Sequence, residues 1–92
     1  MNATRRKEIS KVLKRLYELV EDMSDLLGDI ETIKDDENEA LENIPESLQE
    51  CSPERYTQIE SAANNLDEAY DVFSDMKDSL DDVINSLEAA KE

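Results

Sequence analysis

The sequence predicts an all-α protein: an antiparallel two-helix coiled-coil hairpin, dimerising into a four-helix bundle. Three observations predict it. Apolar residues recur every seven positions in two long runs. A break holding both prolines, Pro45 and Pro53, separates the runs. The 92 residues contain a single Gly, while 38% are charged, a composition of long helices rather than of turn-rich β structure. The length sets a single domain, 1–92, with a limited core.

The first helix is expected over about residues 4–43. Asn2 and Thr4 are both acceptable N-caps. Its first apolar column is Ile9, Leu16, Met23, Ile30 and Ile44, and its second is Val12, Leu19, Leu26, Ile33 and Ala40. Glu37 interrupts the first column near the connection, where the hairpin is expected to splay; the other readings are that it marks register or reaches Lys34 or Arg55. Gly28 falls on the outer face, where it costs ~1 kcal/mol relative to Ala. The helix must stop before Pro45, because a proline disfavours helix for the residue preceding it.

The connection covers 44–52. Pro45 is placed to start a short helical turn, with Ile44 and Leu48 folding inward to close the core. Ser52-Pro53-Glu54 then opens the second helix, over about 53–90. Serine caps, proline occupies the first turn without losing a bond, and glutamate faces the positive end of the helix dipole. The columns here are Ile59, Leu66, Phe73, Leu80, Leu87 and Ala62, Ala69, Met76, Val83, Ala90. A sustained period of seven favours a left-handed supercoil.

Equal helices joined by a short connection favour antiparallel neighbours. The expected register sets Ile44 near Pro53, Met23 near Phe73 and Ile9 near Leu87. The basic start of the first helix would then lie beside Asp78, Asp81, Asp82 and Glu88. A further column flanks each seam: Leu13, Val20, Leu27 and Leu41, then Tyr56, Ala63, Tyr70 and Ile84. A face this wide exceeds what one hairpin covers, so a homodimer forming a four-helix bundle, or a different partner covering the same face, is expected. Val20, Leu27, Tyr56, Tyr70, Val72 and Ile84 are the candidate oligomer interface.

The net charge of −15 is unevenly spread. Residues 1–20 carry six Lys/Arg and two Glu, while 21–50 carry twelve acids and one Lys. Asp22, Asp29 and Asp36 repeat every seven residues, with Asp25, Asp35 and Glu39 on neighbouring rows. These six are the candidate partner-binding residues. Rows of carboxylates on a stiff rod resemble the phosphate rows of a duplex, and equally serve to keep a bundle soluble. Direct nucleic-acid binding is disfavoured by the acidic remainder of the chain. No segment reaches ~18 consecutive apolar residues, so no membrane span is expected and the protein is read as cytoplasmic.

Catalytic and metal chemistry find little support. The chain has no His, the usual general base and commonest metal ligand. The lone Cys51 allows neither an internal disulfide nor a cysteine zinc site. Asp35-Asp36-Glu37-Asn38-Glu39 lacks the glycine and the terminal glutamate of a calcium loop. No phosphate-binding loop or nucleophile elbow is present. No cofactor, metal or catalytic residue is assigned, and the protein is read as a non-enzyme.

Ile44-Pro45-Glu46-Ser47-Leu48-Gln49, followed by Glu54-Arg55-Tyr56, resembles the turn and helix start of small acidic helical-hairpin proteins encoded by phages and prophages. The resemblance implies phage origin and inhibition of a host nuclease or defence complex, in the host cytoplasm. It assigns no functional residue beyond the turn. The leading expectation is therefore a non-enzymatic inhibitor that binds a host defence or nucleic-acid-processing protein through its acidic face. The alternative is an assembly adaptor that grips another helical protein through its apolar seam.

Overall fold

The helix ends follow the caps and prolines. Helix α1 runs Ala3–Glu42, α2 Glu46–Cys51 and α3 Pro53–Lys91. The structure, a computed structural model, describes the backbone of residues 1–92 and every side chain except that of Leu48; the expected inward placement of Leu48 lies outside the described residues. Among these there is no strand. Asn2 is the α1 cap: its Oδ1 accepts the Arg5 N–H at 2.8 Å, and its carbonyl accepts the Arg6 N–H. At the other end Ile44 N–H reaches back to the Leu41 carbonyl, a tightened last turn before Pro45 removes the next donor. The expected short turn is α2. The Pro45 carbonyl accepts the Gln49 N–H, and Gln49 Nε2 donates to the Ile44 carbonyl at 3.3 Å. The Ser52 carbonyl then accepts the Tyr56 N–H, so α3 starts at Pro53 as its sequence dictates.

The chain divides into two units, each a helical pair. Unit 1 is Met1–Leu26 with Ser74–Glu92; unit 2 is Leu27–Phe73.

In unit 1 the core is Leu13, Met23 and Ile84, with 3%, 6% and 5% of their surface exposed. Ile9, Leu16 and Val20 of α1, with Leu80 and Leu87 of α3, are half-buried around them. One flank of the pair is bridged by a hydrogen bond from the Tyr17 hydroxyl to Glu88 Oε1, 2.9 Å.

In unit 2 Ala63 is the buried centre, 1% exposed. Leu27, Ile30 and Leu41 of α1 and Tyr56, Ile59, Leu66 and Phe73 of α3 are half-buried. Here too one flank is bridged: Asn38 Nδ2 donates to Asp67 Oδ1 at 3.1 Å. The Lys34 ammonium sits 4.4 Å from the centre of the Tyr70 ring, a cation–π contact. Glu37 is half-buried, and no ion pair joins it to Lys34 or Arg55 among the described residues.

Two expectations are corrected. The first concerns the seam. Of the expected second columns, Val12, Leu19, Leu26, Ile33, Met76 and Val83 are each about half-exposed. Their places are taken by the flanking columns: Leu13, Val20, Leu27, Lys34 and Leu41 in α1, and Tyr56, Ala63, Tyr70, Lys77 and Ile84 in α3. The first columns, at Leu16 or Leu80, have an apolar column three residues away on one flank and four on the other. A single pair of helices hides only one of those flanks.

The second concerns register. Tyr17 meets Glu88 and Asn38 meets Asp67. The expected pairing is off by roughly two helical turns. The cause lies in unit 2. With Asn38 opposite Asp67, the end of α1 at Glu42 stands near Ala63, and the first turns of α3 face the connection instead. Ile44 and Pro45 accordingly share a shallow concavity with Arg55, Tyr56 and Ile59.

Candidate functional site

The chemically distinctive surface is carboxylate. Unit 2 holds fourteen Asp/Glu against two cations, Lys34 and Arg55, a net −12. Lys34 is turned onto Tyr70, which leaves Arg55 as the exposed cation of the unit. Unit 1 holds eleven acids and eight Lys/Arg, a net −3. The acidity is thus concentrated in one unit.

All six candidate partner-binding acids are exposed on α1. Asp22 and Asp25 belong to unit 1, and Asp29, Asp35, Asp36 and Glu39 to unit 2. The helix carries them as the heptad dictates. Asp29 and Asp36 share a row, and Asp35 and Glu39 stand one turn apart as like charges that cost the helix ~0.2–0.5 kcal/mol. None of the six makes a hydrogen bond or ion pair among the described side chains. No fold requirement accounts for them individually.

The basic head does not neutralise this surface. Arg5, Arg6, Lys7, Lys11, Lys14 and Arg15 are all exposed. The register that pairs Tyr17 with Glu88 carries Arg5, Arg6 and Lys7 past the end of α3, so they do not lie beside Asp78, Asp81 and Asp82 as expected. The ion pair that unit 1 does show is within α3, Lys91 Nζ to Glu88 Oε2 at 3.9 Å. Glu88 therefore receives both the Tyr17 hydroxyl and the Lys91 ammonium. The Tyr17 phenol is pushed above its ordinary value of 10.0, first by that hydrogen bond to Glu88, then by partial desolvation and by the carboxylate's charge.

Of the candidate oligomer residues, Ile84 is buried, and Val20, Leu27, Tyr56 and Tyr70 are half-buried in the intrachain seams. Of the six, only Val72, 53% exposed, stands open. The apolar surface that is open is the one periodicity had assigned to the seam: Val12, Leu19, Leu26 and Ile33 on α1, Met76 and Val83 on α3. Heptad counting finds these residues and misplaces them.

No cluster of metal-ligating side chains occurs among the described residues. Asp35 to Glu39 lie within α1, which points their side chains around the helix rather than at one centre. Cys51 is exposed at the end of α2. Concavities are shallow, and the two at the connection are ≈ 270 Å³, lined by Ile44, Pro45, Arg55 and Tyr56, and ≈ 500 Å³, lined by Cys51, Pro53, Arg55 and Gln58. No helix among the described residues is long and apolar enough to cross a membrane. No protein-family profile, curated protein or solved structure gives a significant match to the chain.

Proposed function

We propose that this protein is a non-enzymatic, phage-type inhibitor. It acts in the host cytoplasm on a host defence or nucleic-acid-processing protein, competing through its acidic surface for a basic groove that otherwise holds nucleic acid. The observation that carries this reading is the segregation of charge: −12 in unit 2 against −3 in unit 1, with exposed acids in rows that no intrachain cation answers. A field of one sign, displayed on helices, attracts a cationic surface and speeds encounter with it. The homodimer expected from the width of the apolar face belongs to the same reading.

The test is affinity for candidate basic-groove proteins across a salt series. Binding should weaken steeply from about 50 to 300 mM salt, as screening shortens the reach of exposed charges. Neutralising Asp29, Asp35, Asp36 and Glu39 together, to Asn or Gln, should flatten that dependence and lower affinity at least tenfold. Salt-insensitive binding, or binding unchanged by the four substitutions, defeats the electrostatic reading.

A second reading is favoured by the open apolar face: an assembly adaptor that holds another helical protein. It predicts the opposite ranking, in which Leu19→Asp abolishes partner binding and the four neutralisations do little.

A further inference from the structure

The open apolar surface is concentrated in the less charged unit. Val12, Leu19 and Leu26 of α1 and Met76 and Val83 of α3 all belong to unit 1 and are 46–54% exposed. They also share one side of it. In an antiparallel pair, corresponding flanks of the two helices face the same way. The bridge from Tyr17 to Glu88 marks one flank. Val12, Leu19 and Leu26 lie across the seam from Tyr17 on α1, and Met76, Val83 and Ala90 lie across it from Glu88 on α3, so they line the opposite side together. Along α3 that side reads Met76, Ser79, Val83, Ser86, Ala90, five positions without a charge in a chain 38% charged. Solubility alone supplies no reason for such a strip.

The α1 half of the face is a shallow groove over Val12, Leu16 and Leu19, edged by Arg15, Glu18 and Asp22. Two of these charges bracket Leu19, a cation four residues before it and an anion three residues after, and Glu18 stands beside it. Turned end for end about Leu19, the bracketing pair comes close to its opposite charges, while Glu18 approaches its own copy near the axis. Val12 falls opposite Leu26 of a second copy, Arg15 within one residue of its Asp22 and Lys11 within two of its Asp25, offsets of about 1.5 and 3 Å along the helix that long side chains span. A two-fold axis makes each of these contacts twice.

We propose that a second copy of this chain packs on this face, α1 against α1 in antiparallel sense about a two-fold axis at Leu19. The contact is confined to unit 1. An arrangement in which both units met their counterparts would set −12 against −12. The inference rests on the homodimer reading and assigns it a surface and a register.

Solution mass of the full chain by sedimentation equilibrium tests it. At about 0.1 mM and low salt, where an interface with Kd near 1 μM is nearly saturated, the mass should be twice that of the chain. Leu19→Asp should give the single-chain mass with helix content unchanged, because Leu19 is half-exposed within its own chain. Val83→Asp, on the other helix of the face, should do the same, so the conclusion does not hang on the folding of one variant. Arg15→Asp should weaken the dimer roughly tenfold, and combining it with Asp22→Arg should restore it to within about threefold. A natural chain of single mass at 0.1 mM overturns the proposal and the homodimer reading together, including when Leu19 serves instead to capture an amphipathic helical peptide. A dimer indifferent to both Leu19→Asp and Val83→Asp overturns this surface while leaving a homodimer by another. A dimer broken by Leu19→Asp but not rescued by the charge exchange overturns the antiparallel register.

Discussion

Val12 and Leu13 are neighbours in sequence and opposites in the structure, and a pair of alanine substitutions separates them. Leu13 is 3% exposed and Val12 is 48% exposed. Leu→Ala in a core costs ~2–5 kcal/mol, from lost burial plus the cavity left behind. A two-helix core collapses easily around a vacancy, which places Leu13→Ala near the lower end, about 2–3 kcal/mol. Val12→Ala loses roughly half of a small side chain's burial and gains about 0.5 kcal/mol of helix propensity, for a net change near zero. For a chain of this length each kcal/mol moves the melting temperature by ~4–8 °C, so Leu13→Ala should lower Tm by more than about 8 °C and Val12→Ala by less than about 4 °C. The assay is thermal unfolding by circular dichroism at the lowest workable concentration, repeated at tenfold higher concentration. A dimer through Val12 would make only the Val12→Ala difference grow with concentration. Equal losses for the two variants at low concentration, or a larger loss for Val12→Ala, would refute the assignment of the seam to the Leu13 flank.

Gly28 offers a gain. A Cβ there meets nothing within 4 Å and the backbone is helical, so Gly28→Ala should raise stability by ~1 kcal/mol in chemical unfolding. Tyr17 gives a pH signature. Its raised folded-state value means that the Glu88 bond contributes fully below pH 10.0 and is lost as pH climbs through the folded value; Tyr17→Phe should remove that part of the alkaline destabilisation, read as Tm against pH. Because unit 2 carries −12 with few compensating pairs, moderate salt should raise Tm rather than lower it; a fall on going from about 10 to 150 mM would indicate that ion pairs hold the fold.

Much of the fold is written in short signals. Asn2 caps α1, Pro45 ends it, and Ser52-Pro53 opens α3, each within a residue of where local chemistry places it. The choice of flank was not legible. Leu13, Val20 and Leu27 compete with Val12, Leu19 and Leu26 for the same seam, and both columns are apolar. What separates them is tertiary: the burial of Ala63 and the side-chain bridges from Tyr17 and Asn38. Register escaped for a different reason. Spacing gives the length of the connection but not its path, and α2 lets α3 run on before α1 is met. The acidic rows were legible outright, because an exposed residue's position on a helix is set by counting alone.

The two bridges also bear on how the chain reaches this state. Asn38 and Asp67 are 29 residues apart, Tyr17 and Glu88 71. Closing the longer loop first costs about 0.8 kcal/mol more, so pairing should begin near α2 and zip toward the termini. Yet the segment that closes first is the one bearing −12, and the larger buried side chains, Leu13, Met23 and Ile84, arrive last. The early step is opposed by repulsion and the late step drives it home. Counter-ions, or a cationic surface held against unit 2, would speed folding by easing the first contacts, without touching the residues that make the finished structure stable.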